Sequence, residues 1–424
     1  MRWLAPAAAG LILAVACTGS SPPTTAAATT LNFWYLASGA QPDQQFHAAA
    51  KAFHTAHPDI EVKGTMINAP DAYARMLAAL SGGGGPDVMQ VDAGWVGAFE
   101  ATGALHEFSA AEVQSLGGKD AFVPAAWNTS GAFHSGKTTA IPWFIDTKAV
   151  YYRTDILQRL GIDPAAAFTS WGALQQTLTA IHDAHTLLPL GLGKGDGSQV
   201  GDFAPWVWGA GGSFVSDDGT QAMINQPASL NGVDEYQRLA GIFSDAATIQ
   251  QSDTAVASMF AAGRFAVTFS GLGLGAQLHG NYGVAPFPPG PAGHIVYAGG
   301  SNLSILKASG HETAAYEWVK WLAGQEGQTT YVAQIGMYPA LVAAAGASVF
   351  ASNQYFAPFK SQISAGRTFP TIPAWPRIEK ALEPYLGQIW ARVVGGRAPM
   401  PSDEEAALLD KAAKDMQAAI QQPS

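Results

Sequence analysis

The chain predicts an α/β protein of two lobes, and three observations carry that expectation. Its 424 residues exceed what one ordinary hydrophobic core encloses. Strand and helix signals alternate as β-α-β-α-β up to residue 95, which implies a mainly parallel sheet flanked by helices. After residue 298 the pattern resumes, beyond a second α/β region.

Leu31-Asn-Phe-Trp-Tyr-Leu36 reads as the first strand and runs into a polar loop at Ser38-Gly-Ala-Gln41. Phe46, Ala49, Ala50 and Phe53 recur at helical spacing until Pro58. Ile60-Glu-Val62 is a short strand, and Tyr73, Met76, Leu77 and Leu80 mark a second helix. Asp87-Val-Met-Gln-Val91 is a third strand, ending in Asp92-Ala-Gly-Trp95. Ala149 to Tyr152 is the apolar, aromatic run of a buried strand. Ser170 is placed to cap a helix whose apolar side carries Trp171, Leu174, Leu178 and Ile181. Phe203 to Phe214, with Trp206 and Trp208 before two glycines, reads as a loop and turn on a lobe surface. Asn225-Gln-Pro opens a helix through Phe243, and Met259 to Phe269 runs from helix into strand. The Pro-rich stretch from Val284 to Pro291 reads as a connection between lobes. Ala298 to Ile305 is a Gly-rich strand, Thr313 to Leu322 is helical, and Gly336 to Ala340 is a turn. The last helix shows Ser402 and Glu405 as a capping box, with Ala406, Leu409, Ala413, Met416 and Ile420 along one side.

Composition narrows the function classes. Hydrophobic content of 48% with 13% charged residues supports sizeable cores. A net charge of −10 argues against nucleic acid as a partner, because phosphate binding needs a basic surface. Twelve tryptophans suggest aromatic platforms. The one cysteine stands after Met1-Arg2, an apolar run from Leu4 to Ala16 and Leu13-Ala-Val-Ala-Cys17. That run is too short to span a bilayer and resembles a secretion signal ending in a bacterial lipoprotein box. Ala14 stands where leucine is usual. The expectation is a removed signal over residues 1–16, a lipid on Cys17, and a Ser/Thr/Pro/Ala tether to residue 30. It places the folded part outside the cytoplasmic membrane, held to its outer face by that anchor.

Trp34, Asp92 with Trp95, and Trp143 with Asp146 all fall at or just beyond strand ends, where ligands collect in open α/β sheets. Aromatic faces cover the C–H patches of a polyhydroxylated ligand, and a carboxylate accepts its hydroxyl hydrogen bonds. The pairs His54/His57 and His182/His185 have helical spacing but no third ligand, so solvated helix faces are expected rather than a metal site. Gly-rich stretches at residues 81–86 and 191–195 lack the Lys-Ser/Thr of a phosphate loop, and no Gly-x-Ser-x-Gly nucleophile motif occurs. Neither a cofactor nor a metal is expected.

The motifs Gly85-Pro-Asp-Val-Met-Gln-Val-Asp-Ala-Gly-Trp95, Ile141-Pro with Asp146 and Tyr151-Tyr152, Phe260-Ala-Ala-Gly-Arg-Phe-Ala266, Gly299-Gly-Ser301, Tyr316-Glu-Trp-Val-Lys-Trp-Leu322, Gly336-Met-Tyr-Pro-Ala340 and Pro370-Thr-Ile-Pro-Ala-Trp375 occur in this order. Together they resemble the extracellular solute-binding proteins of bacterial ABC importers, in the sugar-binding group with maltose- and trehalose-binding proteins, from Leu31 to about Ala419. The resemblance implies the two-lobed periplasmic-binding-protein fold of type II, with crossover hinge strands joining lobes at residues 31–143 plus 295–342 and 147–292 plus 346–424. It implies a monomer without catalysis that closes on a carbohydrate and delivers it to an ABC permease.

The resemblance implies ligand contacts from Asp92, Trp95, Asp146, Trp206, Gly299, Gly300, Ser301 and Arg367, and with the residues at strand ends and in the matching motifs the expected ligand set also takes in Trp34, Ser38, Trp143, Ser270, Tyr338 and Trp375. Many relatives carry a stacking tryptophan where this chain has Leu272, which leaves stacking open among Trp206, Trp208 and Trp375. Two rivals stand beside this reading. Asp92 and Asp146 would serve a secreted glycosidase as an acid/base pair. A glycerophosphodiester or phosphorylated polyol would prefer Arg367 and backbone N–H groups, and the two acids would oppose it.

Overall fold

The computed structural model describes Met1 and residues 28–82, 84–195, 199–394 and 398–422. Cys17, the rest of the expected signal and the tether as far as residue 27 lie outside the described residues. Thr29 and Thr30, expected at the end of the tether, instead open the first strand by pairing with Ile60 and Glu61.

Alternation in Leu31-Asn-Phe-Trp-Tyr-Leu36 buries Leu31, Phe33 and Tyr35 on one face, where Phe46 and Phe53 of the helix Pro42–Ala56 meet them. This strand, β1 (Thr29–Leu36), pairs in parallel with β2 (Ile60–Ile67) along its length and with β3 (Val88–Asp92) on its other side. Next come β4 (Ile141–Asp146) and β5 (Ala149–Arg153), separated only by Thr147 and Lys148. The remaining strands are β6 (Leu188–Gly191), β7 (Phe265–Ser270), β8 (Tyr282–Ala285), β9 (Val296–Tyr297), β10 (Gly299–Ile305), β11 (Tyr338–Pro339) and β12 (Gly366–Arg367).

Two larger sheets result. One has the order β11-β4-β10-β3-β1-β2 and the other β6-β7-β5-β8. Both are mixed: β10 runs antiparallel to β3 and β4, and β5 runs antiparallel to β7 and β8. The chain crosses between them at Thr147–Lys148 and again through residues 286–298. Between the two, β9 and β12 pair in parallel. The fold is thus α/β with two sheet-centred bodies, as the order of elements predicted. The expected mainly parallel sheets are corrected: antiparallel pairings outnumber parallel ones in both, because β10 and β5, which follow the crossings, run against their neighbours. A large apolar cluster covers the first sheet and reaches β5 at Tyr151, while another gathers Trp206, Trp208 and Trp375 with the helices Pro227–Phe243, Trp375–Val394 and Ser402–Gln421.

Three local expectations fail for physical reasons. The stretch read as a surface loop, Phe203 to Phe214, contains most of the helix Val200–Gly209, with Trp206 and Trp208 at 1% and 2% exposure. Pro205 and the following glycines signal a break, but burying two indoles outweighs the hydrogen bond that Pro205 forfeits. The expected capping box is absent: Pro401 precedes the last helix, and Glu405 is buried with its carboxylate on the Gln237 side chain. The turn at Gly336–Ala340 includes β11, which pairs with β4 through Tyr338 and Ile145.

Candidate functional site

β3 and β4 both end on an aspartate, and β10 runs between them with Ser301 opposite Asp92 and Gly299 opposite Asp146. Two strand spacings separate the acids sideways by roughly 10 Å, with a two-residue offset along β10, at one end of the sheet. Gly300, at φ 129°, is required there: a β-carbon would lie 2.2 Å from the Phe144 carbonyl oxygen. Gln90 fixes this end, accepting the Leu36 N–H at 2.9 Å and donating to Ser301 Oγ at 2.9 Å.

Asp92 accepts the Gly94 N–H at 2.8 Å. Burial lifts its pKa from 3.8 to about 6, and the Asp146 charge adds to the rise against that hydrogen bond. A β-carbon on Gly94 would sit 3.2 Å from both Asp92 Oδ1 and Trp375 Nε1. The indole nitrogen of the fully buried Trp375 has no hydrogen-bond partner among the described residues.

The second body adds Asp202, in the first turn of Val200–Gly209, and Asp253, which opens the helix Asp253–Ala261. Lys148, from the crossover between β4 and β5, donates to both carboxylates. Burial alone would lower the Lys148 pKa, but the two acids outweigh it and hold the ammonium well above its ordinary value. One cation between two anions leaves a surplus negative charge. Asp202 is accordingly pushed up to about 7, by burial first and by Asp253 next, with Lys148 opposing.

Tyr297, just before β10, joins the two groups. Its ring lies against Gly299, where a β-carbon would meet the phenol oxygen at 2.4 Å. Burial raises its pKa most, and Asp92, Glu379, Asp146 and Asp202 all add to the rise. Tyr297 also lines a narrow cavity of about 30 Å³ with Lys148, Asp202, Trp206, Tyr236 and Asp253, space for a water-sized group beneath the acids. Acids from both bodies thus act on one tyrosine, and Trp206 and Tyr236 line the cavity with it.

Several expected ligand residues do other work. Trp143 is wholly buried and stacked on Tyr331 at 5.2 Å, so it belongs to the first core and not to a binding surface. Tyr338 is corrected likewise: it is 4% exposed and stacked on Phe356 at 5.2 Å. Trp206 lines the small cavity, but one face of its ring is stacked on Tyr236. Trp375 is stacked on Phe369 at 4.3 Å, and Arg367 lies over Trp208 in a different groove. Trp34 carries Arg75 at 4.7 Å, and Trp95 packs edge-on to Tyr73. Ser38, beyond the end of β1, and Ser270, the last residue of β7 opposite Ala149, are partly exposed. Tyr297, Lys148, Asp202 and Asp253 escaped the sequence reading. The nearest signal was Lys148, two residues after Asp146; Asp202 stands one residue before the stretch read as a loop. No cluster of three metal-ligating side chains exists among the described residues.

A family model described as bacterial extracellular solute-binding protein matches residues 37–329. The probable ABC transporter-binding protein of Deinococcus radiodurans is 26% identical over 218 residues, covering 49% of this chain and 52% of that protein. The chain therefore spans about half the length of that relative. The diacetylchitobiose binding protein DasA of Streptomyces coelicolor is 26% identical over 400 residues, covering 88% of this chain and 87% of its own. Among solved structures, maltose-bound MalE3 of T. maritima superposes with a TM-score of 0.79 at 20% identity, over 92% of this chain and 99% of that one.

Proposed function

The chain belongs to the bacterial extracellular solute-binding protein family, and from that premise we propose that it captures a carbohydrate between its two lobes and hands it to an ABC permease. The observation that carries this reading is the placement of β10 between β3 and β4, with Ser301 opposite Asp92 and Gly299 opposite Asp146, next to Tyr297, which lines one cavity with Asp202 and Asp253 of the second body. Carboxylates accept hydroxyl hydrogen bonds worth about 1.5–3 kcal/mol each. Micromolar affinity needs only about −8 kcal/mol, so a few such contacts suffice. The acid surplus disfavours a phosphate at this place and suits a neutral polyol. DasA, whose name gives a di-saccharide derivative as ligand, supports a di- or oligosaccharide.

Only a ligand that binds the closed form more tightly shifts the lobes toward closure. The moving units in this reading are residues 31–143 with 295–342 and residues 147–292 with 346–424. The permease then recognises the closed form, and no chemical step is required of the chain. The same reading makes residues 1–16 a removed signal and Cys17 the lipid-bearing residue that holds a monomer on the outer face of the cytoplasmic membrane.

Calorimetry against mono-, di- and oligosaccharides tests the proposal, paired with X-ray scattering. One sugar class should bind, Asp146→Asn should weaken it about tenfold or more, and the radius of gyration should fall with saturation. Tight binding without compaction would count against closure. Binding indifferent to Asp146→Asn would count against the site.

A further inference from the structure

Trp208, Tyr297 and Phe369 form a wall of rings with centroids 5.1–6.3 Å apart. Tyr297 faces the small acid-lined cavity, whereas Trp208 and Phe369 line a separate groove of about 700 Å³, within the range of small-molecule sites. One side of this groove is built from residues 125–138, which pack beside the first sheet. The other comes from residues 213–217 of the second body and from residues 366–371, which begin at β12.

Its charge sets it apart from the small acid-lined cavity. In a protein of net charge −10, the lining carries Arg367, Lys137 and His134 against Asp217. Arg367 is half-buried, its guanidinium 4.7 Å from the Trp208 ring centroid and its Nη2 donating to Ser213 Oγ at 3.3 Å. Among the described residues, no carboxylate lies within ion-pair distance of it. With its carbon over the indole, the guanidinium still has N–H groups to donate, and its planar fork fits a carboxylate or phosphate. On the other wall, Lys137 is exposed and adds a second positive charge. The same rim holds Phe133, one of the few exposed large hydrophobic residues. Beside it His134 is held at φ 61°, a costly backbone for a non-glycine residue, with its ring 3.9 Å from that of Phe133.

We propose that this groove is a second binding site, taking a small solute that bears an oxyanion, with Arg367 gripping the anion and Lys137 attracting it from the opposite wall. The site does not depend on the carbohydrate reading of the acid-lined cleft. The shared chemistry of the ligand is a planar or tetrahedral oxyanion on a small organic body that packs on Phe133 and Trp208.

Calorimetry on the intact protein, in chloride at constant ionic strength, would use glycerol 3-phosphate in one arm and glucuronate in the other. Saturable binding is expected in at least one arm, and which arm responds identifies phosphate or carboxylate as the source. Arg367→Gln should weaken it about tenfold or more. Arg367→Lys should fall between, because lysine keeps the charge without the fork. Lys137→Gln should weaken it a few-fold and leave carbohydrate affinity unchanged. Should Arg367→Gln fail to fold, Arg367→Lys and Lys137→Gln decide the matter. No binding in either arm, or binding that folded variants at both positions leave unaltered, overturns the proposal.

Discussion

At the end of β3, the Asp92 carboxylate is ionised at neutral pH in a place that favours its protonated form, since burial and Asp146 lift its pKa from 3.8 to about 6. A raised carboxylate pKa means that the native state binds more protons than the unfolded chain between those values. Stability from this group is therefore present below about pH 4 and lost as pH rises through about 6. Asp92→Asn should raise the melting temperature at pH 7.5 more than at pH 4, by the equivalent of about 1–3 kcal/mol, while weakening carbohydrate binding. Thermal melts at the two pH values check the first part and titration calorimetry the second. Lys148 presents the opposite case. Lys148→Met would leave Asp202 and Asp253 buried without their cation and should cost about 3–5 kcal/mol in chemical denaturation at pH 8. Acidification should recover part of the loss as Asp202 takes up a proton, which it does more readily once the cation that held its pKa down is gone.

Among the elements, the last helix illustrates how a local signal yields to packing. Ser402 and Glu405 have the spacing of a capping box, yet Glu405 turns inward to Gln237 of the helix Pro227–Phe243. Burial pushes its pKa up from 4.5 to about 8, with Asp234 adding to the rise, so the neutral acid is the favoured native form. Its stabilising contribution is complete below about pH 4.5 and disappears as pH passes about 8. Glu405→Gln should match the wild-type protein near pH 5 and exceed it in stability at pH 8.5, measured by urea denaturation at both. The helix Val200–Gly209 teaches the same point. Pro205 and its neighbouring glycines read as a loop, but Trp206, packed among Trp171, Tyr236, Phe269 and Phe287, has a place only inside the second core. Where periodicity was strong and uninterrupted, as at Phe46–Phe53 and Trp171–Ile181, the helices formed as expected, Ser170 capping the latter through the Ala173 N–H at 3.1 Å.

For the whole molecule, the two crossings between sheets matter most. Lys148 ties the first crossing to Asp202 and Asp253, and the buried Gln362 ties it further, donating to the Lys148 carbonyl at 2.9 Å while accepting the Phe287 N–H at 2.8 Å. The crossover thus stays attached to the second body, and closure would bend the chain near Asp146 and Thr147. The proposed anchor on Cys17 carries a prediction of its own. Mass spectrometry of the mature protein from a membrane fraction should find an N-terminus at Cys17 carrying acyl chains; an unmodified or earlier N-terminus would exclude the anchor.

Two α/β bodies, the strand end at Asp92, and most helices followed from the sequence by itself, because periodicity and chain order act locally; that Ile141–Asp146 is itself a strand did not. Which aromatic rings would be spent on the cores, and that Tyr297 would stand among acids drawn from residues 92 to 379, was decided only by the tertiary structure. A tryptophan carries no local mark of whether its faces will meet solvent or another ring. Nor does an aspartate reveal which charge, a hundred residues away, will share its burial.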